Sequence, residues 1–252
     1  MKKLVLTVFF LQLFTIQSQS FNPPENKNKC KEDLRKLYAK QNNMQAPVEG
    51  KVYYLNYSVK STPNKEKAVE QKTDVKIYSN VEKTYFESNT MEIYQDKKVS
   101  VSVIPSSKTI IVNNIYKETE KTKENKLKYL TVLQDTLFDL SEVEQCDLEK
   151  TTTGETIKKV KVKLTDKGVK LFKMTSVDFF LKKDADFINS YTINYSEKQR
   201  FKKVQISFNE FDYDYKTDKL NKPILSLVFD ANNKLLNQYK DYKLIDNRNK
   251  KK

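Results

Sequence analysis

Residues 124–142, "ENKLKYLTVLQDTLFDLSE", decide the fold, because they read as a helix in a chain that otherwise reads as strands. Leu127, Leu130, Leu133, Leu137 and Leu140 recur at steps of three and four, which makes one stripe of a 3.6-residue helix apolar. A charged lead-in, "KETEKTKEN", precedes it. On both sides the chain alternates apolar and polar residues, the period of strands with one face buried.

Upstream, "KVYYLNYSVKS" (51–61) places Tyr53, Leu55, Tyr57 and Val59 on one face. Strands follow at "TDVKIYS" (with Val75 and Ile77 on one face), "KTYFES", "TMEIYQD", "KVSVSVIP" (Val99, Val101, Val103) and "SKTIIVNN". Their short connections carry Asn, Asp, Ser or Pro, so consecutive strands are expected to pair as an antiparallel meander. Downstream, strands resume at "EVEQCDLEK", "ETIKKVKVKLT", "SVDFFLKK", "FINSYTINYS", "RFKKVQISFNEFDY", "ILSLVFD" and "KLLNQYKDYKLID", with "DANNK" as a hairpin turn between the last two. "DKGVKLFKM" is ambiguous between a short helix and a strand. An earlier amphipathic helix spans about 29–43 and ends before Pro47 and Gly50.

A sheet of roughly a dozen strands curls or closes. The expected fold is therefore α+β, mainly β: a curved antiparallel half-barrel whose concave face is covered by the N-terminal helix and the central helical insertion. The expected organisation is a signal peptide at 1–20, a linker at 21–28 with Pro23 and Pro24, one domain at 29–246, and a frayed basic tail at 247–252, "NRNKKK".

The first residues predict the compartment. Lys2 and Lys3 precede an apolar run from Leu4 to Ile16, and Ser18 and Ser20 supply small residues before Phe21, as in a cleaved secretory signal. Thirteen residues fall short of the roughly 20 that span a bilayer. A periplasmic or secreted protein beginning near Phe21 is expected. In such a compartment Cys30 and Cys146, the two cysteines, either form a disulfide or remain buried thiols; Cys30 lies on the apolar helix face with Leu34, Leu37 and Tyr38.

Composition narrows the chemistry. With no histidine, His-based triads and His-ligated metal sites are excluded, and three scattered glycines (Gly50, Gly154, Gly168) build no phosphate loop. "NEFDYDYKTDK" sets Asp212, Asp214 and Asp218 close together but lacks the central Gly and terminal Glu of a calcium loop, so it reads as a solvated strand end. No enzyme and no cofactor are expected. The net charge of +14 has acidic residues interleaved with its lysines, which describes a solvated lysine coat rather than a nucleic-acid surface, while peripheral contact with an anionic membrane stays open.

The order of signal peptide, N-terminal helix, strand meander, helical insertion and second meander resembles the LolA/LolB-like superfamily over residues 29–246. "MEIYQDKKVSVSVIPSSKTIIVNN" (91–114) is similar to its run of short strands with a polar tip between apolar arms, and "INYSEKQRFKKVQISFNEFDY" (193–213) and "LSLVFDANNKLLNQYKDYKLID" (225–246) are similar to its closing strands. The resemblance implies an exported, non-catalytic carrier whose concave face holds lipid or the acyl chains of a lipid-modified protein under a helical lid. The chain departs from the family in lacking the strand arginine that ties down the lid in lipoprotein carriers, Lys60 being the nearest basic residue on the first strand, and in having one main inserted helix rather than several. On this reading Tyr53, Leu55, Tyr57, Val75, Ile77, Val99 and Val101 line an apolar cavity, Leu127, Leu130, Leu133 and Leu137 cap it, and tyrosine hydroxyls meet a head group at its mouth. The alternative is an envelope interaction or assembly protein with a dry core that binds a protein partner through sheet edges or its lysine-rich surface. A monomer is expected in either case.

Overall fold

The computed structural model describes residues 26–43, 48–65, 69–115, 133, 135–150, 154–182 and 187–248. The residues expected to form a signal peptide, and Leu127 and Leu130, lie outside the described residues. The elements run α1 (Lys27–Asn43), β1 (Tyr53–Pro63), β2 (Gln71–Ser79), β3 (Lys83–Ser88), β4 (Glu92–Asp96), β5 (Val99–Ile104), β6 (Thr109–Asn114), β7 (Ser141–Lys150), β8 (Thr156–Leu164), α2 (Asp166–Phe172), β9 (Met174–Lys182), β10 (Ser190–Tyr195), β11 (Phe201–Asp212) and β12 (Lys243–Asp246). Leu133 and residues 135–139 are helical, the last turns of the leucine-striped segment.

All twelve strands belong to one open, curled sheet in the order β12-β6-β5-β4-β3-β2-β1-β11-β10-β9-β8-β7. Two meanders, β1–β6 and β7–β11, join where β1 pairs with β11. Side-chain caps explain several of the tight turns. The Asn80 carboxamide oxygen accepts from the amides of Glu82 and Lys83, and an Asp96 carboxylate oxygen accepts from those of Lys98 and Val99. "DKGVKLFKM" resolves as a helix because the Thr165 hydroxyl accepts from the Gly168 amide at its N-terminus. Gly168 itself permits close packing: a Cβ there would stand 2.8 Å from the Leu140 carbonyl oxygen.

The C-terminal expectations need correction. "ILSLVFD" and most of "KLLNQYKDYKLID" are not strands: short 3₁₀ turns form at Leu225–Leu227 and Asn237–Tyr239, with a lone bridge from Phe229 to Leu235. The apolar residues here bury on the sheet rather than extend it: Ile224, Val228 and Phe229 pack on Val101, Val103, Ile110 and Val112. Having crossed that face, the chain reaches the edge beside β6 running the same way, so β12 pairs in parallel and the sheet is not wholly antiparallel. "DANNK" does turn, with Asp230 accepting from the amides of Asn232 and Lys234. The first residues of the expected tail are held: the Asn247 amide donates to the Val112 carbonyl, and Arg248 pairs with Asp246.

Strand register divides the sheet into two faces. Cross-strand partners share a face, so Tyr54, Tyr78, Tyr85, Tyr94, Val101 and Val112 lie together on one, and Leu55, Ile77, Phe86, Ile93, Ser102 and Ile111 on the other. The Tyr54 face of β1–β6 is covered by residues 215–242. The Tyr53 face of β7–β10 is covered by α1, whose Cys30, Leu34, Leu37 and Tyr38 pack with Phe138 against Val160, Val162, Val177 and Phe179. Cys30 and Cys146 form a disulfide that ties α1 to β7. Lys31 Nζ donates to the Ser141 carbonyl at 2.6 Å, and Arg35 pairs with Asp139 and lies over the Phe138 ring.

Candidate functional site

The Tyr53 face of β1–β6 carries an in-register row that runs across the sheet. Phe211 opposes Leu55, then follow Ile77, Phe86, Ile93, Ser102, Ile111 and Ile245, each against the next. Leu55 is buried and the rest are half-buried or, at Ile245, at the edge. A neighbouring row sets Phe208, Tyr57 and Val75 side by side. Aromatic rings continue this surface towards α1: Tyr57 meets Phe208 at 6.2 Å, Phe208 meets Tyr191 at 6.1 Å, Tyr191 meets Phe179 at 6.0 Å, and Phe179 meets Tyr38 at 6.3 Å.

At the start of β1, Tyr53 packs edge-on to Phe211 at 5.2 Å and lies 6.0 Å from Tyr213. The hydroxyls of Tyr53 and Tyr213 are buried and bond to nothing among the described residues. Leaving a buried polar group unpaired costs about 1–3 kcal/mol. Burial, then the neighbouring Tyr213 and Tyr57 phenols, hold the Tyr53 hydroxyl well above its ordinary range, and burial pushes Tyr213 up to about 12. Both are therefore neutral hydrogen-bond donors at physiological pH.

The structure brings Tyr53, Leu55, Tyr57, Val75 and Ile77 together and separates Val99 and Val101 from them. These two valines are buried on the opposite face, beneath the C-terminal segment, with Val101 0% exposed. They belong to a core, and a single cavity lined by all seven residues does not exist. Leu133 and Leu137 are half-buried on the helical turns that end at Asp139. Phe138, which the leucine stripe overshadows in the sequence, is the fully buried anchor of that helix end. Phe211 and Tyr213 also went unread as site residues, although "NEFDYDY" alternates aromatic and acidic residues in the strand manner.

The opposite face has its own tyrosine ladder. Tyr215, Tyr54, Tyr78, Tyr85 and Tyr94 follow one another at 4.2, 4.8, 5.7 and 4.5 Å. Lys219 Nζ sits 4.9 and 4.7 Å above the Tyr78 and Tyr85 rings and pairs with Glu87. Tyr85 and Tyr94 donate to Glu87 and Glu92, so these hydroxyls are satisfied, whereas no described residue partners those of Tyr53 and Tyr213.

A cleft of about 790 Å³ lies at the far end of β1, among Pro63, Asn64, Arg200 and Phe201 and the loop side chains around them, away from Tyr53. Asp212 accepts from the Asp214 amide and Asp214 pairs with Lys216; among the described residues no group of three or more metal-binding side chains converges. Among the described residues no helix is long and apolar enough to cross a membrane. Strand lysines are paired, Lys159 with Glu149, Lys161 with Glu144 and Lys182 with Glu155, as in a solvated charged surface.

No protein-family model matches the chain, and no curated protein sequence matches it. Solved structures similar to it include an uncharacterized conserved protein from Thermus thermophilus, at 6% identity and a TM-score of 0.40, covering 85% of this chain and 99% of that one. A LolA superfamily protein from Nitrosomonas europaea matches at 7% identity and a TM-score of 0.29, over 73% and 95% of the two chains. The MucA/MucB complex of Pseudomonas aeruginosa matches at 9% and 0.42, over 76% of this chain and 61% of that one. At such identities and scores the chain is similar to these proteins at the level of the fold, and the likeness ends there.

Proposed function

We propose that this protein is an exported, non-catalytic carrier that holds a lipid or acyl chain along the Tyr53 face. The observation that supports it is the half-buried apolar row on β1–β6, on a sheet whose opposite face already has a cover of its own. Tyr53, Leu55, Tyr57, Val75 and Ile77 line the chain, and Leu127, Leu130, Leu133 and Leu137 cap it. An acyl chain that buries about ten methylenes gains about 8 kcal/mol, before the cost of ordering it. The reading as a binder of a protein partner through a sheet edge has less support. The outer edge strand β7 is bulged between Val143 and Gln145 and carries Glu142, Glu144, Asp147 and Glu149, devices that discourage strand addition.

The test is solvent extraction of the purified protein followed by mass spectrometry, with titration of a hydrophobic fluorescent dye in parallel. Co-purified acyl lipid, and dye binding that saturates and is weakened by Leu133→Asn at nearly unchanged stability, are the expected results. Absence of lipid together with no saturable dye binding removes the carrier reading.

A further inference from the structure

We infer that the Tyr53 and Tyr213 hydroxyls are the donors for the carbonyl oxygen of an acyl ester or amide, so that the cargo is a neutral acyl lipid rather than a free fatty acid. This rests on the carrier reading above and adds the chemical class of ligand to it. Tyr53 is only 5% exposed, and its hydroxyl and that of Tyr213 are buried without a partner among the described residues. Both rings pack edge-on against the same Phe211, at 5.2 and 4.5 Å. Two polar atoms are thus set into an aromatic wall that offers them nothing to bond. The Tyr85 and Tyr94 hydroxyls on the opposite face show that this chain satisfies such groups where it has carboxylates to hand.

The donors' chemistry selects the acceptor. Phenols held above their ordinary range stay protonated, and each offers one O–H. A carbonyl oxygen accepts two hydrogen bonds through its two lone pairs and brings no net charge. A free fatty acid would arrive as a carboxylate. No lysine or arginine hydrogen bond or ion pair to Tyr53 or Tyr213 exists among the described residues, and an uncompensated charge entering an aromatic site loses its hydration for little return. Glycerol esters and the acyl groups of a lipid-modified protein share the required carbonyl.

The test displaces a bound fluorescent dye with monooleoylglycerol, with a synthetic diacylated lipopeptide and with oleate at about pH 8. At least one of the two esters is expected to compete roughly tenfold or more better than oleate, and which of them does so identifies the source of the acyl group. Tyr53→Phe and Tyr213→Phe keep the rings and remove the donors. Each is expected to weaken the competing ester roughly three- to tenfold and to leave oleate unchanged. Because the lost hydroxyl has no partner among the described residues, Tyr53→Phe is expected to melt no lower than wild type. Equal competition by esters and oleate, or Phe variants that bind all three ligands as wild type does, overturns this inference and leaves the carrier reading standing. A Tyr53→Phe variant that is destabilised but binds normally also overturns it, by making the hydroxyl structural. Failure of the wild type to bind the dye or any competitor takes down both.

Discussion

Replacing Cys30 and Cys146 together by alanine opens a loop that spans the whole first meander and the insertion after it. The two residues are 116 apart in sequence. In the chain-entropy treatment a loop of that size restrains the unfolded chain by about 5 kcal/mol at room temperature. For a domain of this length each kcal/mol moves the midpoint by about 2–4 °C, so a fall of about 10–20 °C is expected. Location sharpens the expectation. α1 docks chiefly on the edge strand β7, and the bridge fixes it there beside Lys31–Ser141 and Arg35–Asp139. Without the bridge α1 should be the first element to leave, exposing Phe138, Val160 and Phe179 while β1–β6 stay folded under the C-terminal segment. Urea unfolding followed by far-UV circular dichroism and by tyrosine fluorescence should then give two transitions where the wild type gives one. A double variant that unfolds in one step within about 1 kcal/mol of wild type would refute both the entropic estimate and the assignment of α1 to the tether.

Phe138→Ala deletes a ring that is 0% exposed and meets Tyr38 edge-on at 5.9 Å. A loss of about 3–5 kcal/mol in denaturant unfolding is expected. Glu87 tests the tyrosine ladder on the other face. The hydrogen bond from Lys219 holds its carboxyl below the ordinary carboxylate range, against a smaller opposing effect of burial. A depressed acid stabilises the fold above its ordinary range, and that contribution is lost as pH falls through the folded value. Melting points of wild type measured from about pH 7 down to about pH 3 should therefore fall more steeply than those of Lys219→Met, and the gap between the two should narrow towards the acid end.

Much of the sheet was legible because period-two alternation survives in each strand, as in "YYLNYSVKS" and "VSVSV". What single strands could not show is how their faces line up. Three successive hairpins pair odd-numbered with even-numbered residues: Ile77 with Phe86, Phe86 with Ile93, and Ile93 with Ser102. Odd-numbered side chains therefore change face three times between β2 and β5, and Val99 and Val101 end on the side opposite Tyr53 and Ile77. One residue more or less in any of those turns would have joined them. The C-terminal cover was missed for a different reason. A segment that lays irregular 3₁₀ turns on a sheet has no period, so its apolar residues imitate strands. Phe138 was masked by a leucine stripe whose own periodicity was sufficient to explain the helix.

The placement of the covers bears on how cargo and stability are related. α1 and Phe138 close the Tyr53 face over β7–β10, and residues 215–242 close the Tyr54 face over β1–β6, so the two largest cores sit on opposite sides at opposite ends. A third cluster, of Tyr54, Tyr78, Tyr85 and Leu220, extends the second core towards β1. Tyr53, Leu55 and Val75 are buried yet belong to none of the three. A ligand-binding surface shared with a core would change the packing of the domain each time cargo entered or left. Here the proposed cargo row adjoins two self-contained cores without supplying either. Residues spaced far enough apart to share no partners contribute independently to stability. Apart from the Phe208–Tyr191 contact that links the row to the first core, filling and emptying the Tyr53 face of β1–β6 as proposed leaves each core its own packing, which is the physical condition a carrier has to meet.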